Sequence, residues 1–231
     1  MEKDFGTALT KVNDLYFPLI QNQLEGNGVK MDDYAKQCTL NALAAINATL
    51  TTSGINWNDS QLDQSNVTET LMRVASLKLN ASASPREVYF QVRNKSIKTR
   101  DENGKTIDVW KKQIEMGIEG DGNDALLAMY GRDVKKVCQF WLVREDDGFE
   151  YPKYNGLEMD SPKWTPTGKG KVIRVVYPVI KTDDTIEFYI SEREDVLNNL
   201  IAHLNNNLMN ETFGICENRF KATSDQKKKI E

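Results

Sequence analysis

Apolar residues recur at helical spacing through the first third of the chain. Val12, Leu15, Tyr16 and Leu19 are followed by Tyr34, Leu40, Leu43, Ala44 and Ile46, the three-to-four-residue period of helices with one buried face. Gly26, Gly28, Gly54 and the polar run 56–60 punctuate them. A third helix is expected over about 67–79, with Leu71, Val74, Ala75 and Leu79 inward. From Pro85 the period changes to two. Val88, Phe90 and Val92 alternate with Tyr89, Gln91 and Arg93, as in a half-exposed strand. Asn103-Gly104 signals a two-residue hairpin turn, because both central positions of a type I′ turn need positive φ. The returning strand sets Val109, Lys111, Gln113, Glu115 and Gly117 on one face and Trp110, Lys112, Ile114 and Met116 on the other.

Residues 120–123 introduce a short helix over 124–130, with Asp121 or Asn123 as N-cap and Gly131 at its end. Residues 134–145 predict one more strand, and 171–181 with 185–190 a second hairpin turning at Asp183-Asp184. Ser191 and Glu194 have the spacing of a capping box, in which each bonds the other's backbone N–H. The helix they open is expected to reach about Phe213, with Val196, Leu197, Leu200, Ile201, Leu204 and Leu208 inward and Gly214 closing it. The expected class is α+β: N-terminal helices, antiparallel β-hairpins or a meander enclosing a short helix, and a long C-terminal helix. The expected organisation is an acidic helical extension at 1–66, a core at 67–214 and a polar tail at 215–231. That tail stops without a cap, as a fragment of a longer chain would.

Composition narrows the class of function. With 231 residues, 39% of them apolar, and four Trp, eight Tyr and eight Phe, the chain can build a core, which excludes wholesale disorder. No apolar run approaches the length of a membrane span, and the charged start Met1-Glu2-Lys3-Asp4 lacks the apolar stretch of a signal peptide, so a cytoplasmic protein with no membrane partner is expected. Cys38, Cys138 and Cys216 show no CxxC or Cys/His spacing. They read as buried thiols of an intracellular protein, not as a disulfide or zinc framework.

The net charge of −4 speaks weakly against a polyanionic partner until it is divided by segment. Residues 1–70 hold nine acids and four bases. Residues 86–112 hold eight bases and four acids, 134–144 three bases and no acid, and 161–181 five bases and no acid. Residues 145–160 and 183–195 each return to six acids against one base. Tyr89, Phe90, Trp110, Tyr130, Trp141 and Trp164 fall in or beside the basic segments. Bases that track a backbone, interleaved with rings that stack on bases, compose a single-strand-binding surface. The plainer reading is a solvated strand face over a core of aromatics.

Enzyme signatures are weak. Gly104-Lys105-Thr106 imitates the end of a P-loop, but Thr99 stands where its first glycine belongs and a strand follows instead of a helix, so no ATP site is expected. Gly168-Lys169-Gly170-Lys171 reads equally as a phosphate-approaching backbone or a flexible loop. Glu119, Asp121 and Asp124 suggest a Mg²⁺ cluster, but the spacing fits no calcium loop, and capping explains Asp121 more simply. His203, the only histidine, falls among apolar helix positions and is expected to pack rather than catalyse. No catalytic residue, metal ligand or cofactor is assigned.

The order of elements from about residue 67 to 214 resembles the RecT/Redβ group of phage single-strand annealing proteins, along about two thirds of the chain. The carrying residues are Ala75-Ser76-Leu77-Lys78-Leu79 and the strand from Gln113 to Gly120, then Tyr130-Gly131-Arg132, the strand 134–143 and Arg144-Glu145 with Asp147 and Phe149. The 171–180 hairpin strand and Leu208-Met209 with Thr212 complete them. Glu119 and Glu211 depart from the pattern, where commoner members carry lysine, and the N-terminal acidic helices have no counterpart. The resemblance implies an ATP-independent, non-enzymatic recombinase in a bacterial host, phage- or prophage-encoded, that binds single-stranded DNA and holds the annealed duplex intermediate. It implies an oligomeric ring or filament with head-to-tail contacts, and a phage exonuclease or host single-strand-binding protein as partner.

On this reading a basic groove between sheet and long helix holds the phosphates. Its candidates are Arg93, Lys95, Lys98, Lys111, Lys112, Lys135, Lys136, Lys169, Lys171 and Arg174, with Arg132, Lys111 or Lys112 taking over contacts missing at Glu119 and Glu211. Gln91, Asn207 and Asn210 add neutral hydrogen bonds. Two rivals are a non-catalytic phage structural or interaction protein, and a Mg²⁺-dependent nuclease acting through Glu119, Asp121 and Asp124.

Overall fold

Helices fill the start of the chain because their apolar stripes have one another to pack on. The computed structural model describes residues 8–100, 102, 104–207, 212, 215–216 and 222–230. Helices α1 (Ala8–Gly26), α2 (Asp33–Thr52) and α3 (Gln64–Leu77) precede a long hairpin of β1 (Val88–Arg100) and β2 (Thr106–Ile118), followed by α4 (Gly120–Tyr130). The class is α+β, as the periodicity predicts. Two compact units divide between Gly131 and Arg132, so the expected boundary at 66/67 lies inside the first unit.

One core joins α1, α2, α3, β1 and β2. Ile20, Leu43, Ile46, Val67, Leu71, Val74, Val88 and Ile114 are buried in it. In α1 the buried stripe is Val12, Tyr16, Ile20 and Leu24, whereas Leu15 and Leu19 face water. Two stripes fit the α1 sequence, and packing selects the one at strict four-residue intervals. Asp32 caps α2 by accepting the Ala35 N–H at 2.8 Å, and Asp63 caps α3 through the Asn66 N–H at 3.2 Å. Helix α4 begins at Gly120, earlier than expected, so Asp121 and Asn123 lie within it and Glu119 takes the N-cap position without a side-chain cap bond. Gly131 donates to the Leu127 carbonyl at 2.9 Å.

The second unit holds β3 (Val134–Val137), β4 (Trp141–Arg144), the short strands β5 (Gly148–Glu150), β6 (Tyr154–Asn155), β7 (Glu158–Met159) and β8 (Lys163–Thr165), then β9 (Val172–Lys181), β10 (Ile186–Glu192), α5 (Arg193–Asn207) and α6 (Ser224–Ile230). Strand β9 is central, antiparallel to β10 on one side and to β3 and β4 on the other. The single strand expected over 134–145 is broken. Val137 pairs with Val179 and Trp141 with Val176, so four steps on one side meet three on the other. The gap lies opposite Pro178, whose ring nitrogen has no hydrogen to donate.

Ser191 pairs with Val175 inside β10, and α5 starts only at Arg193. Strand pairing has thus taken the residue expected to cap the helix, and no capping box forms. The expected helix end at Phe213 and Gly214, with Leu208 and Glu211, lies outside the described residues. Val196, Leu197, Leu200 and Ile201 are exposed rather than inward, and His203 is exposed too. The unit buries few side chains among the described residues, chiefly Val143, Val176 and Val179, and Val196 and Leu197 of α5 share only an open apolar pocket with Val172 and Val175 of β9.

Candidate nucleic-acid interface

The β1–β2 ribbon is the most exposed basic element of the first unit. Its register runs from Val88 opposite Ile118 to Arg100 opposite Thr106, so each 13-residue strand spans roughly 40 Å. Five residues, 101–105, separate the two strands; Gly104 has φ +76° there, and Asn103, the first residue of the expected turn, lies outside the described residues. The base of the ribbon buries Val88, Phe90 and Ile114 on the core. Beyond Val92, β1 is exposed except at the half-buried Ile97.

Side-chain alternation divides the predicted bases between two faces. Gln91, Arg93, Lys95 and Lys111 lie on the outer face, Lys98 and Lys112 on the inner face that continues from the core. On the outer face Lys95 stands directly opposite Lys111. Arg93 pairs with Glu115 at 2.9 Å, and Gln91 donates to the same carboxylate at 3.1 Å. The ribbon and α3 enclose a cleft of about 580 Å³, lined by Arg73, Glu69 and Asn66 from the helix and by residues of both ribbon faces, Arg93, Lys95, Gln113 and Glu115 from the outer one and Asn94, Ile114 and Met116 from the inner one. Arg73 is a cation that strand alternation could not reveal. It lines the cleft from α3, twenty positions before Arg93 in the chain.

Two expected phosphate contacts are tied to the segment before α3. Lys112 pairs with Asp59 at 3.4 Å, and its backbone bonds Gln61 and Asp63 at 2.8 and 2.9 Å. Lys111 donates to the Ser60 carbonyl at 2.6 Å. The Gln61 N–H, followed by Lys112, holds the Asp59 carboxyl below its ordinary pKa.

In the second unit the predicted cations are differently placed. Arg174 lies against both rings of the edge-on Phe149–Tyr151 pair, 4.4 Å from each centroid, and its Nε donates to Glu192 at 2.5 Å. The Arg174 hydrogen bond lowers the pKa of Glu192. This guanidinium is a structural tie, not an open phosphate contact. Lys135 pairs with Asp184. Lys136, Lys169, Lys171 and Arg132 remain exposed. In the loop around Gly168 and Gly170 two backbone donors are taken: the Lys171 N–H bonds Glu145 at 3.2 Å and the Lys169 N–H bonds Thr167 at 3.3 Å. The side chain of Asn207 and all of Asn210 lie outside the described residues.

Glu119 pairs with Arg86 at 2.7 Å, and among the described residues no three His, Cys, Asp or Glu side chains converge as metal ligands would. Cys38 is buried, which pushes its thiol up to about 11, whereas Cys138 and Cys216 are only half-buried. No described helix is long and apolar enough to cross a membrane. Compared with known proteins, no family model and no curated sequence matches the chain.

Proposed function

We propose that the chain binds single-stranded DNA along the β1–β2 ribbon and anneals complementary strands without ATP. The observation that carries this reading is Lys95 opposite Lys111 at the rim of a cleft also lined by Arg73 and Arg93. Like charges directly across a sheet destabilise it, and a phosphate backbone turns that cost into attraction. The exposed stretch beyond Val92 leaves a strand free to track the ribbon. Base pairing itself then supplies sequence specificity, while the protein contacts backbone and ring faces. The resemblance to RecT/Redβ annealing proteins adds the setting: phage recombination in a bacterial cytoplasm, a homo-oligomeric ring or filament, and an exonuclease or single-strand-binding protein as partner.

The test adds complementary oligonucleotides in sequence and follows binding by gel shift, with and without ATP and Mg²⁺. Annealing independent of both is expected. Degradation only with Mg²⁺ would replace this reading with the nuclease. A second reading, a non-catalytic interaction protein, draws on the exposed Val196, Leu197, Leu200 and Ile201 of α5; a chain that shifts no oligonucleotide at low salt would favour it.

A further inference from the structure

Among Tyr89, Phe90, Trp110, Tyr130, Trp141 and Trp164, tertiary contacts engage all but Trp110. Phe90 is buried. Trp141 stacks on Trp164 at 5.5 Å and touches Phe188 at 5.8 Å. The Tyr89 ring covers Gly117, its cross-strand neighbour, and carries Arg86 at 5.6 Å. Tyr130 is exposed, but its hydroxyl donates to the Ser76 carbonyl at 2.7 Å. Trp110 is 67% exposed, and its indole has neither a ring partner nor a hydrogen-bond acceptor among the described residues.

The register explains why this ring stays bare. Trp110 faces Ser96 across the ribbon, and a hydroxymethyl group is too small to cover an indole. Its diagonal neighbour Lys98 lies one pair nearer the tip, opposite Asp108, and Arg100 lies one pair further, opposite Thr106. Lys98, as a diagonal neighbour, sits about 7–8 Å from Trp110, within reach of a long side chain, and Arg100 lies roughly 13 Å along the strand from Ser96. Lys98 and Arg100 are both exposed and pair with no carboxylate among the described residues. A large apolar plane with one open cation diagonal to it and a second further toward the tip complements a strand that is apolar at its bases and anionic at its phosphates.

We propose that Trp110 is a base-stacking residue: an unpaired nucleobase lies on its indole, and the adjoining phosphates are held by Lys98 and Arg100. The proposal rests on the ribbon being the nucleic-acid-binding element and assigns its inner distal face. Duplex bases already stack on one another, so only an unpaired base offers a free ring face. The subsite therefore holds a strand before pairing and loosens once the duplex forms.

The experiment measures equilibrium binding of an oligothymidylate and of an oligonucleotide of equal length made mostly of abasic sites, at one salt concentration, for the wild type, Trp110→Ala and Trp110→Phe. Stacking on one residue changes affinity by about five-fold to about a hundred-fold. Trp110→Ala is expected to lose that factor on oligothymidylate while binding the abasic strand like the wild type, and Trp110→Phe to recover most of it. The slope of affinity against salt stays unchanged, because no phosphate contact is removed. Equal affinities of wild type and Trp110→Ala for oligothymidylate would overturn the stacking role and leave the ribbon reading standing. A changed sedimentation coefficient with unchanged DNA affinity would also overturn it, assigning the indole to a second copy of the chain. A wild type that binds neither oligonucleotide would overturn the ribbon reading itself.

Discussion

Lys95 and Lys111 stand directly opposite each other across β1 and β2, and Lys95 lines the α3 cleft. Nothing in local sequence calls for two ammonium groups there, and the Lys111 head turns to the Ser60 carbonyl at 2.6 Å. Lys95→Glu converts the like pair into an opposite pair and is expected to stabilise the ribbon by about 0.2–1 kcal/mol. The same change is expected to weaken oligonucleotide binding. Lys95→Ala is expected to lower the log–log salt slope by about 0.7, one single-strand phosphate contact. Urea unfolding and a salt titration read the two effects separately. Unchanged DNA affinity in Lys95→Glu would remove this face from the interface.

Arg174 provides the contrasting case. Its guanidinium packs against Phe149 and Tyr151 and its Nε bonds Glu192, with only 11% of the side chain exposed. Arg174→Lys keeps the charge but loses the flat stack and the fork of donors. It is expected to destabilise the second unit by about 1–3 kcal/mol and to leave the DNA salt slope as it was. A lowered slope with normal stability would restore Arg174 to the phosphate contacts.

Asp147 should make the second unit sensitive to acid. Its carboxylate accepts the Thr167 N–H at 2.7 Å, the Arg144 N–H at 2.9 Å and the Trp164 indole N–H at 2.9 Å. These bonds, the Thr167 backbone first, hold the Asp147 carboxyl far below its ordinary 3.8. A depressed folded pKa contributes stability that is complete above the unfolded value and lost as pH falls through the folded one. Trp fluorescence and near-ultraviolet dichroism of the Trp141–Trp164 stack are therefore expected to report falling stability from about pH 4 to about pH 2. Asp147→Asn is expected to be less stable at neutral pH and flatter over that range. Equal pH slopes in both proteins would show that this carboxylate is not the acid-sensitive group.

Gly122 is held by space rather than by backbone angle. A methyl group there would sit 2.1 Å from the Glu87 carbonyl oxygen and 2.8 Å from Ile118 Cγ2. Gly122→Ala is expected to cost about 1–3 kcal/mol by overpacking, although alanine favours helices by about 1 kcal/mol. At Gly120, also in α4, a Cβ meets nothing within 4 Å, so Gly120→Ala is expected to be neutral or slightly stabilising. Thermal unfolding compares the two, and equal melting temperatures would show that the Glu87 segment yields.

Much of the first unit was legible because its signals are local. The alternation from Val88 to Val92 and from Val109 to Gly117 predicts both strands of the ribbon and its two faces. The spacing of Leu71, Val74 and Ala75 predicts the buried side of α3. Predictions failed where a partner distant in the chain decided. Pro178 breaks the strand expected over 134–145, and pairing with Val175 draws Ser191 away from a helix cap. The side of α1 that is buried depends on its packing against α2, which two equally periodic stripes could not foretell.

The candidate site follows the same division. Sequence alone determined that bases concentrate on the ribbon and that Lys111 and Trp110 fall on opposite faces, since side-chain alternation is a property of the strand itself. Only tertiary structure decided which of those charges and rings are spent inside the protein. Lys112 meets Asp59, Lys135 meets Asp184 and Trp141 meets Trp164 across long stretches of chain, while Arg73 joins the cleft from a helix and Trp110 stays bare opposite Ser96. Charge and aromaticity belong to the residue, but their availability depends on what the fold brings within hydrogen-bonding or stacking distance.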